Sequence, residues 1–263
     1  MTAWVAQLQS PDPTTRLAGI AAIAGARASA VTPEELTALA DCLGHDRKVI
    51  QRAAAEACAK LDRGGAPVRP LLVTALDSPE ARRRWGAAFA LSLLDHEPLE
   101  ALPAALEALG SGDGDVRWAA ATIVIRIARI RPEVVDDLLR ELADGNPEQR
   151  KMALYCLRDL QPPGPAVRRA AVAATQDTHE GVALAAISAL ARLAAGEPSA
   201  VRACLRLIAG PNPRLQRAAA NALGKLAAAE PGIAEVLKGA AASSDSSLRR
   251  AAERALNQLG LQP

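Results

Sequence analysis

Few residues in this chain have types suited to chemistry, and their spacing decides what that chemistry is. The pairs His96-Glu97 and His179-Glu180 offer ligand types that hold transition metals. Coordination needs ligands that converge. His179 stands directly before a helical run and His96 lies in the turn before Pro98, so the pairs fall in different parts of the chain's repeat and do not meet; the remaining histidine is His45. Neither a metal nor any other cofactor is expected. Cys42, Cys58, Cys156 and Cys204 include no Cys-x-x-Cys spacing, and Cys58 and Cys156 occupy slots otherwise held by Ala, Leu, Ile or Val. They read as buried structural thiols in a reducing compartment, which points to the cytoplasm. There is no Gly-rich phosphate loop, no Gly-x-Ser-x-Gly and no plausible Cys–His pairing. The densest basic run is Arg82-Arg83-Arg84. With Arg117 and Lys151 it would suit phosphates, but a net charge of +2 argues against a dedicated nucleic-acid protein.

The aromatic residues are more informative, and their meaning depends on the elements that carry them. A small residue recurs at Ala18, Ala53, Gly86, Ala119, Met152 (the one larger member), Ala185, Ala218 and Ala251, in steps of 35 and then 33 throughout. A second series, Pro33, Pro67, Pro98, Pro132, Pro165, Pro198 and Pro231, keeps the same frame. Such self-similarity marks a stack of units that each contact only their neighbours. Half of the residues are hydrophobic while aromatics are 2%, which is a composition of close Ala/Leu helix packing. No apolar run is long enough to span a membrane, and the start, Met1-Thr-Ala-Trp-Val, lacks a signal-peptide pattern.

Each unit reads as two helices. Helix A opens at the periodic proline, whose missing N–H is no loss at the first helical position, with acidic residues following, as in Pro33-Glu-Glu and Pro132-Glu. The slot before helix B reads Asp12, Arg47, Glu80, Asp113, Asn146, His179, Asn212 and Asp245, rich in the types that cap helix N-termini. Pro13, Pro147 and Pro213 occupy the next position. In the fourth unit the apolar stripe is Val116, Ala119, Ala120, Ile123 and Ile127, a 3.6-residue period, and no period-two alternation occurs. The repeated Arg slot (Arg16, Arg84, Arg117, Arg150, Arg249) is expected to pair with the cap acid of its own or the adjacent unit.

Asp113-Gly-Asp-Val-Arg-Trp-Ala-Ala-Ala and Asn212-Pro-Arg-Leu-Gln-Arg-Ala-Ala-Ala-Asn-Ala-Leu-Gly resemble HEAT repeats, in particular the short HEAT-like type of phycobilisome lyases. The resemblance covers essentially the whole chain. It implies an all-α, right-handed α-α superhelix of about eight helix pairs forming one solenoid over 1–263, with units near 1–30, 31–64, 65–95, 96–130, 131–161, 162–195, 196–229 and 230–263. The polar last helix, with Arg249, Arg250, Glu253, Arg254, Asn257 and Gln258, suits a capping unit. The family includes scaffolds, adaptors, bilin lyase subunits, an iron-dependent hydroxylase and DNA glycosylases, so the resemblance specifies fold and leaves function open. It also implies that B helices line a concave side.

Within that frame, the position after the Arg slot reads Leu17, Arg52, Trp85, Trp118, Lys151, Leu184, Arg217 and Arg250, and four residues on come Ala21, Glu56, Phe89, Thr122, Tyr155, Ser188, Asn221 and Arg254. These two columns sit about 200° and 240° around the helix from the first apolar residue, facing away from the stripe. Four of the five aromatics, Trp85, Phe89, Trp118 and Tyr155, lie in them; Trp4 is the exception. With neighbouring helices about 10 Å apart, the rings are expected to form one outward cluster, rimmed by Arg126 and Lys151. An alternative is that the rings pack between repeats. The leading expectation is a non-enzymatic adaptor or scaffold that binds a protein or peptide through Trp85, Phe89, Trp118, Thr122, Arg126, Lys151 and Tyr155. The alternative function is a lyase-like or DNA-glycosylase-like protein that handles a flat aromatic ligand or nucleobase in the same cluster; Glu56 and Asp159 are the nearby acids for it.

Overall fold

The computed structural model describes residues 2–226 and 232–261, and in them the chain is all-α: sixteen helices in eight consecutive pairs. By contact density the chain divides into two compact halves, one comprising residues 1–109 and 113–130 and the other 110–112 and 131–263. The first half contains α1 (Ala3–Leu8), α2 (Pro13–Gly25), α3 (Pro33–Asp41), α4 (Lys48–Arg63), α5 (Val68–Ala75), α6 (Ala81–Ser92), α7 (Leu102–Ala108) and α8 (Gly114–Ala128). The second contains α9 (Val134–Asp144), α10 (Pro147–Leu160), α11 (Pro165–Ala174), α12 (Glu180–Leu193), α13 (Pro198–Ile208), α14 (Pro213–Leu226), α15 (Ile233–Ala241) and α16 (Ser246–Gln258). Even-numbered helices are the B helices. They pack in series, α2 on α4 on α6 on α8 in the first half and α10 on α12 on α14 on α16 in the second. The A helices form a second row, with α1 on α3 on α5, and α9 on α11 on α13 on α15.

The cap slot behaves as its spacing requires. Asp12, Arg47, Glu80, Asp113, Asn146, His179 and Asp245 are all N-caps of B helices. Asp12, Asp113, Asn146 and Asp245 accept from first-turn N–H groups, and the Asn212 side chain accepts from the amides of Arg214 and Leu215. The proline series holds only in part. Pro33, Pro165 and Pro198 open A helices, but Pro67 stands at the N-cap of α5, and Pro98 precedes a 3-10 turn (Leu99–Ala101) that leads into α7. Pro132 sits two residues before α9, and Pro231 lies outside the described residues. Proline fixes φ whether it is the first residue of a helix or stands just outside it, so the period survives while its structural role shifts.

The Arg slot is a correction. For Arg16, Arg84, Arg150 and Arg249 the recurring partner is a carbonyl of the turn between helices A and B, not the cap acid. Arg16 donates to Ser10 O (2.7 Å), Arg84 to Ser78 O (2.7 Å), Arg150 to Gly145 O (2.9 Å) and Arg249 to Ser243 O (2.9 Å). Gln51 and Gln216 occupy the same register and donate to His45 O (2.6 Å) and Gly210 O (2.8 Å). At Ser10, His45, Ser78 and Ser243 the residue whose carbonyl is used stands two before the cap and also closes the turn from the other side, whereas Gly145 stands one before its cap. Side chains of Ser10, His45, Ser78, Asp177 and Ser243 accept from the N–H of the cap residue. Two slot arginines additionally reach the next repeat: Arg84 to Glu107 and Arg150 to Asp177.

The small-residue series marks close approach. At Gly86, an added Cβ would stand 2.3 Å from the carbonyl oxygen of Leu43. Glycine there lets α6 lie against the end of the preceding A helix. The four cysteines are all buried, and burial pushes their thiols up, Cys42 to about 11 and Cys58, Cys156 and Cys204 to about 12. They are therefore packing residues, inert as nucleophiles at neutral pH.

Two predictions follow from this wiring. Alanine is favoured over glycine in a helix by about 1 kcal/mol, so Gly239→Ala, exposed in α15 with open space around its Cβ, raises the melting temperature by a few degrees. Gly86→Ala lowers it, because the clash costs about 1–3 kcal/mol and outweighs propensity; thermal melts of the two variants should move in opposite directions. The Arg150 guanidinium holds the Asp177 carboxyl below its ordinary 3.8. The folded state therefore binds fewer protons than the unfolded one there, and the associated stability is present above about pH 4 and lost as pH falls through the acid range. In Arg150→Gln, the Asp177 carboxyl moves back up by NMR titration, stability at neutral pH drops by about 1–2 kcal/mol, and its acid dependence is flatter.

Candidate functional site

None of the sixteen side chains in the two outward columns is buried, whereas the opposite face of each B helix is. In α8 the buried set is Ala120, Ala121, Ile123, Val124, Ile127 and Ala128, while Val116 and Ala119 are only half-buried. The helical phase read from the sequence holds at Ala120, Ile123 and Ile127 but not at Val116 and Ala119, and the columns lie on the half-exposed to exposed side of the B helices.

The rings do not behave alike. Trp118 is 52% exposed on α8, the most exposed aromatic of the first half. Thr122, one turn on, is also exposed, and its hydroxyl donates to the Trp118 carbonyl. Trp85 and Phe89 are half-buried and packed on each other, with ring centroids 5.8 Å apart. They line a shallow groove across α4, α6 and α8 with Gln51, Val116 and Ala119. Over the N-terminal end of that groove runs an ion bridge between α4 and α8, which skips the helix between them. Lys48 pairs with Asp113 and, at 3.2 Å, with Asp115; Arg52 lies 3.8 Å from Asp115. The rings thus differ in setting: Trp85 and Phe89 pack on each other, and Trp118 faces outward. Phase alone could not separate them, because the bridge joins residues about two repeats apart.

The cations expected to rim the cluster are already matched. Arg126 donates to Ser92 O (3.0 Å) and His96 O (3.3 Å) and pairs with Glu97 (3.2 Å). In the second half, Lys151 pairs with Glu148 one turn earlier (2.6 Å). Tyr155, half-buried, lies under the Arg158 guanidinium at 4.9 Å, and Arg158 is held in turn by Asp159 (2.8 Å). That bond keeps the Asp159 carboxyl below the usual carboxylate range. Within the basic run, Arg83 pairs with Asp41 and Arg84 with Glu107, leaving Arg82 the exposed member. His179 is the N-cap of α12 and His96 lies in the turn after α6. Among the described residues no three His, Cys, Asp or Glu side chains are placed to share a metal ion, and no helix is long and apolar enough to cross a membrane.

A model of HEAT repeats matches residues 1–92 and 168–257. The chain belongs to the HEAT-repeat family. The stretch between the two matched segments, 93–167, carries Trp118, Thr122, Arg126, Lys151 and Tyr155. No curated protein matches the sequence. Among solved structures, the HEAT chain is similar to YibA of E. coli (16% identity, TM-score 0.60, covering 99% of this chain and 93% of that one). It is similar to an engineered protein (23%, 0.54, 99% and 78%). It also resembles yeast importin-beta, Kap95p, in its complex with RanGDP (16%, 0.65, 97% of this chain and 40% of that one). At these identities the likeness is one of fold.

The different settings of the two indoles make a testable contrast. Trp118→Ala removes most of the tryptophan fluorescence that acrylamide quenches readily and changes stability by less than about 1 kcal/mol. Trp85→Ala breaks the ring pair and lowers stability by about 1–3 kcal/mol. Equal effects of the two substitutions in urea melts would contradict the assignment.

Proposed function

We propose that this HEAT protein is a non-enzymatic adaptor or scaffold that binds a protein or peptide segment on its B-helix face. The observation that carries this reading is Trp118: a large ring left half in solvent on a rigid helix, with Thr122 beside it and the Trp85–Phe89 groove on the neighbouring helix. Trp and Tyr anchors of this kind dominate protein interfaces. Arg126 and Lys151 act chiefly by holding the surface in shape, and Tyr155 offers a contact belonging to the second half. Fold relatives are consistent with the scaffold reading: Kap95p has been seen with RanGDP and with Nup1, and Kap121p with Ste12p. The 33-residue period and A helices of no more than eleven residues support the short-repeat kind of HEAT protein. Four buried thiols suit a reducing compartment such as the cytoplasm.

Affinity capture from the native cell with wild type, Trp118→Ala and the Trp85→Ala/Trp118→Ala double variant tests the proposal. Both variants should keep the helical circular dichroism of the wild type and lose the enriched partner. An unchanged captured set would overturn it. Quenching of Trp118 fluorescence by a micromolar tetrapyrrole or nucleobase would favour the ligand-handling alternative.

A further inference from the structure

The third outward column, one turn beyond the first two, reads Arg126, Asp159, Arg192 and Lys225 in successive repeats. Arg126 is neutralised by Glu97, and Asp159 is taken up twice by Arg158, at 2.8 and 3.2 Å. Arg192 and Lys225 are exposed and make no ion pair or hydrogen bond among the described residues. They stand on one groove of the second half, formed by α10, α12 and α14. Its floor is aliphatic, with Leu184, Ile187 and alanines, and its walls add Arg158, Ser188 and Asn221. Arg158 donates to the Ser188 hydroxyl (3.3 Å), and Arg254 of α16 donates to the Asn221 side chain (3.1 Å), bringing a further guanidinium to the edge. Asp159, whose charge acts on Arg192, is already bound by Arg158; α14 has no acid of its own, and of its cations Arg214 pairs with Glu180 and Arg217 with Asp245.

We propose that this groove binds an extended acidic peptide segment, with carboxylates on Arg192 and Lys225 and aliphatic side chains on the floor between them. This rests on the scaffold reading above but uses a different half of the chain and different residues. Charge complementarity selects the sign of the occupant: two unmatched cations stand over an apolar floor where a buried anion would find donors and no repulsion. A peptide is favoured over nucleic acid because no aromatic ring lines the groove, so bases have nothing to stack on. Spacing gives the register. Neighbouring helices lie about 10 Å apart, and a peptide in the polyproline II conformation rises about 3.1 Å per residue and turns once every three residues, so Arg192 and Lys225 match acids at positions i and i+3 on one face of it.

The test is fluorescence anisotropy with the full chain and a labelled twelve-residue peptide that carries Glu at every third position between Leu, Ala and Ser. A matched peptide with Gln for Glu and a labelled dT12 oligonucleotide serve as competing probes. The acidic peptide should bind about tenfold or more tightly than the Gln peptide and lose affinity as salt rises. Arg192→Glu/Lys225→Glu should weaken it by about tenfold or more, and the milder Arg192→Gln/Lys225→Gln should shift it in the same direction with helicity intact. Trp118→Ala should leave it unchanged, which separates failure of this groove from failure of the ring surface. Equal binding of the two peptides, indifference to both double variants, or tighter binding of dT12 that those variants abolish would overturn the proposal.

Discussion

In six of the eight B helices a side chain one turn in donates to a carbonyl of the turn that precedes it and holds the start of the helix, while α12, with Ala183 in that slot, keeps the same bearing by its apolar stripe alone. Arg16, Gln51, Arg84, Arg150, Gln216 and Arg249 all make this bond, across both halves. The turn residue that supplies the carbonyl often also accepts the cap N–H, so the turn is held from two directions. Each arginine bond contributes about 1.5–3 kcal/mol, the range for hydrogen bonds to charged groups, and each glutamine bond about 0.5–1.5 kcal/mol, but the larger effect is geometric. It fixes where helix B begins relative to helix A. A B helix that began one residue late would rotate by about 100°, and the apolar stripe would leave the core.

Because that rotation is fixed, every side chain after the slot has a determined bearing. This is why sixteen positions can be named as outward from spacing alone, and why none of them is buried. Bearing is not exposure, however. Trp85 and Trp118 occupy the same position of successive repeats, yet one packs on Phe89 in a groove bridged by Lys48 and Asp115 while the other stands half in solvent. The difference comes from their neighbours: Trp85 has a ring one turn along its own helix, and Trp118 has Thr122 there.

What the sequence made legible follows the same division. Helix pairing, the cap slot, the burial of the cysteines and the outward phase are all local or strictly periodic, and each was readable. The proline series was readable as a period but misleading as a boundary, since Pro67, Pro98 and Pro132 satisfy the same φ constraint just outside the helix. The Arg slot is legible as a period, but its acceptor at Arg16, Arg84, Arg150 and Arg249 is a turn carbonyl and not the cap acid. The series Ser10, His45, Ser78 and Ser243, side-chain acceptors two before four of the caps, marks the turn residues whose carbonyls are used there. Contacts that skip a repeat, such as Lys48 with Asp113, leave no periodic trace, so neither the screening of Trp85 nor the matching of Arg126 by Glu97 could be read in advance.

The charges show why composition is a poor guide to partners in a repeat protein. A chain with 31 basic and 29 acidic residues reads as neutral, and most arginines on the B helices are indeed spent within the structure: Arg83 on Asp41, Arg84 on Glu107, Arg150 on Asp177, Arg158 on Asp159. Such pairs are structural, and at the surface each is worth about 0–1 kcal/mol. What a partner senses is the remainder after pairing, which is set by position and not by the total. In the third outward column the remainder is zero at Arg126 and Asp159 and positive at Arg192 and Lys225, although all four occupy one repeat slot. A periodic scaffold thereby acquires a local electrostatic address through the loss of one counter-charge at a time, with no change in the backbone.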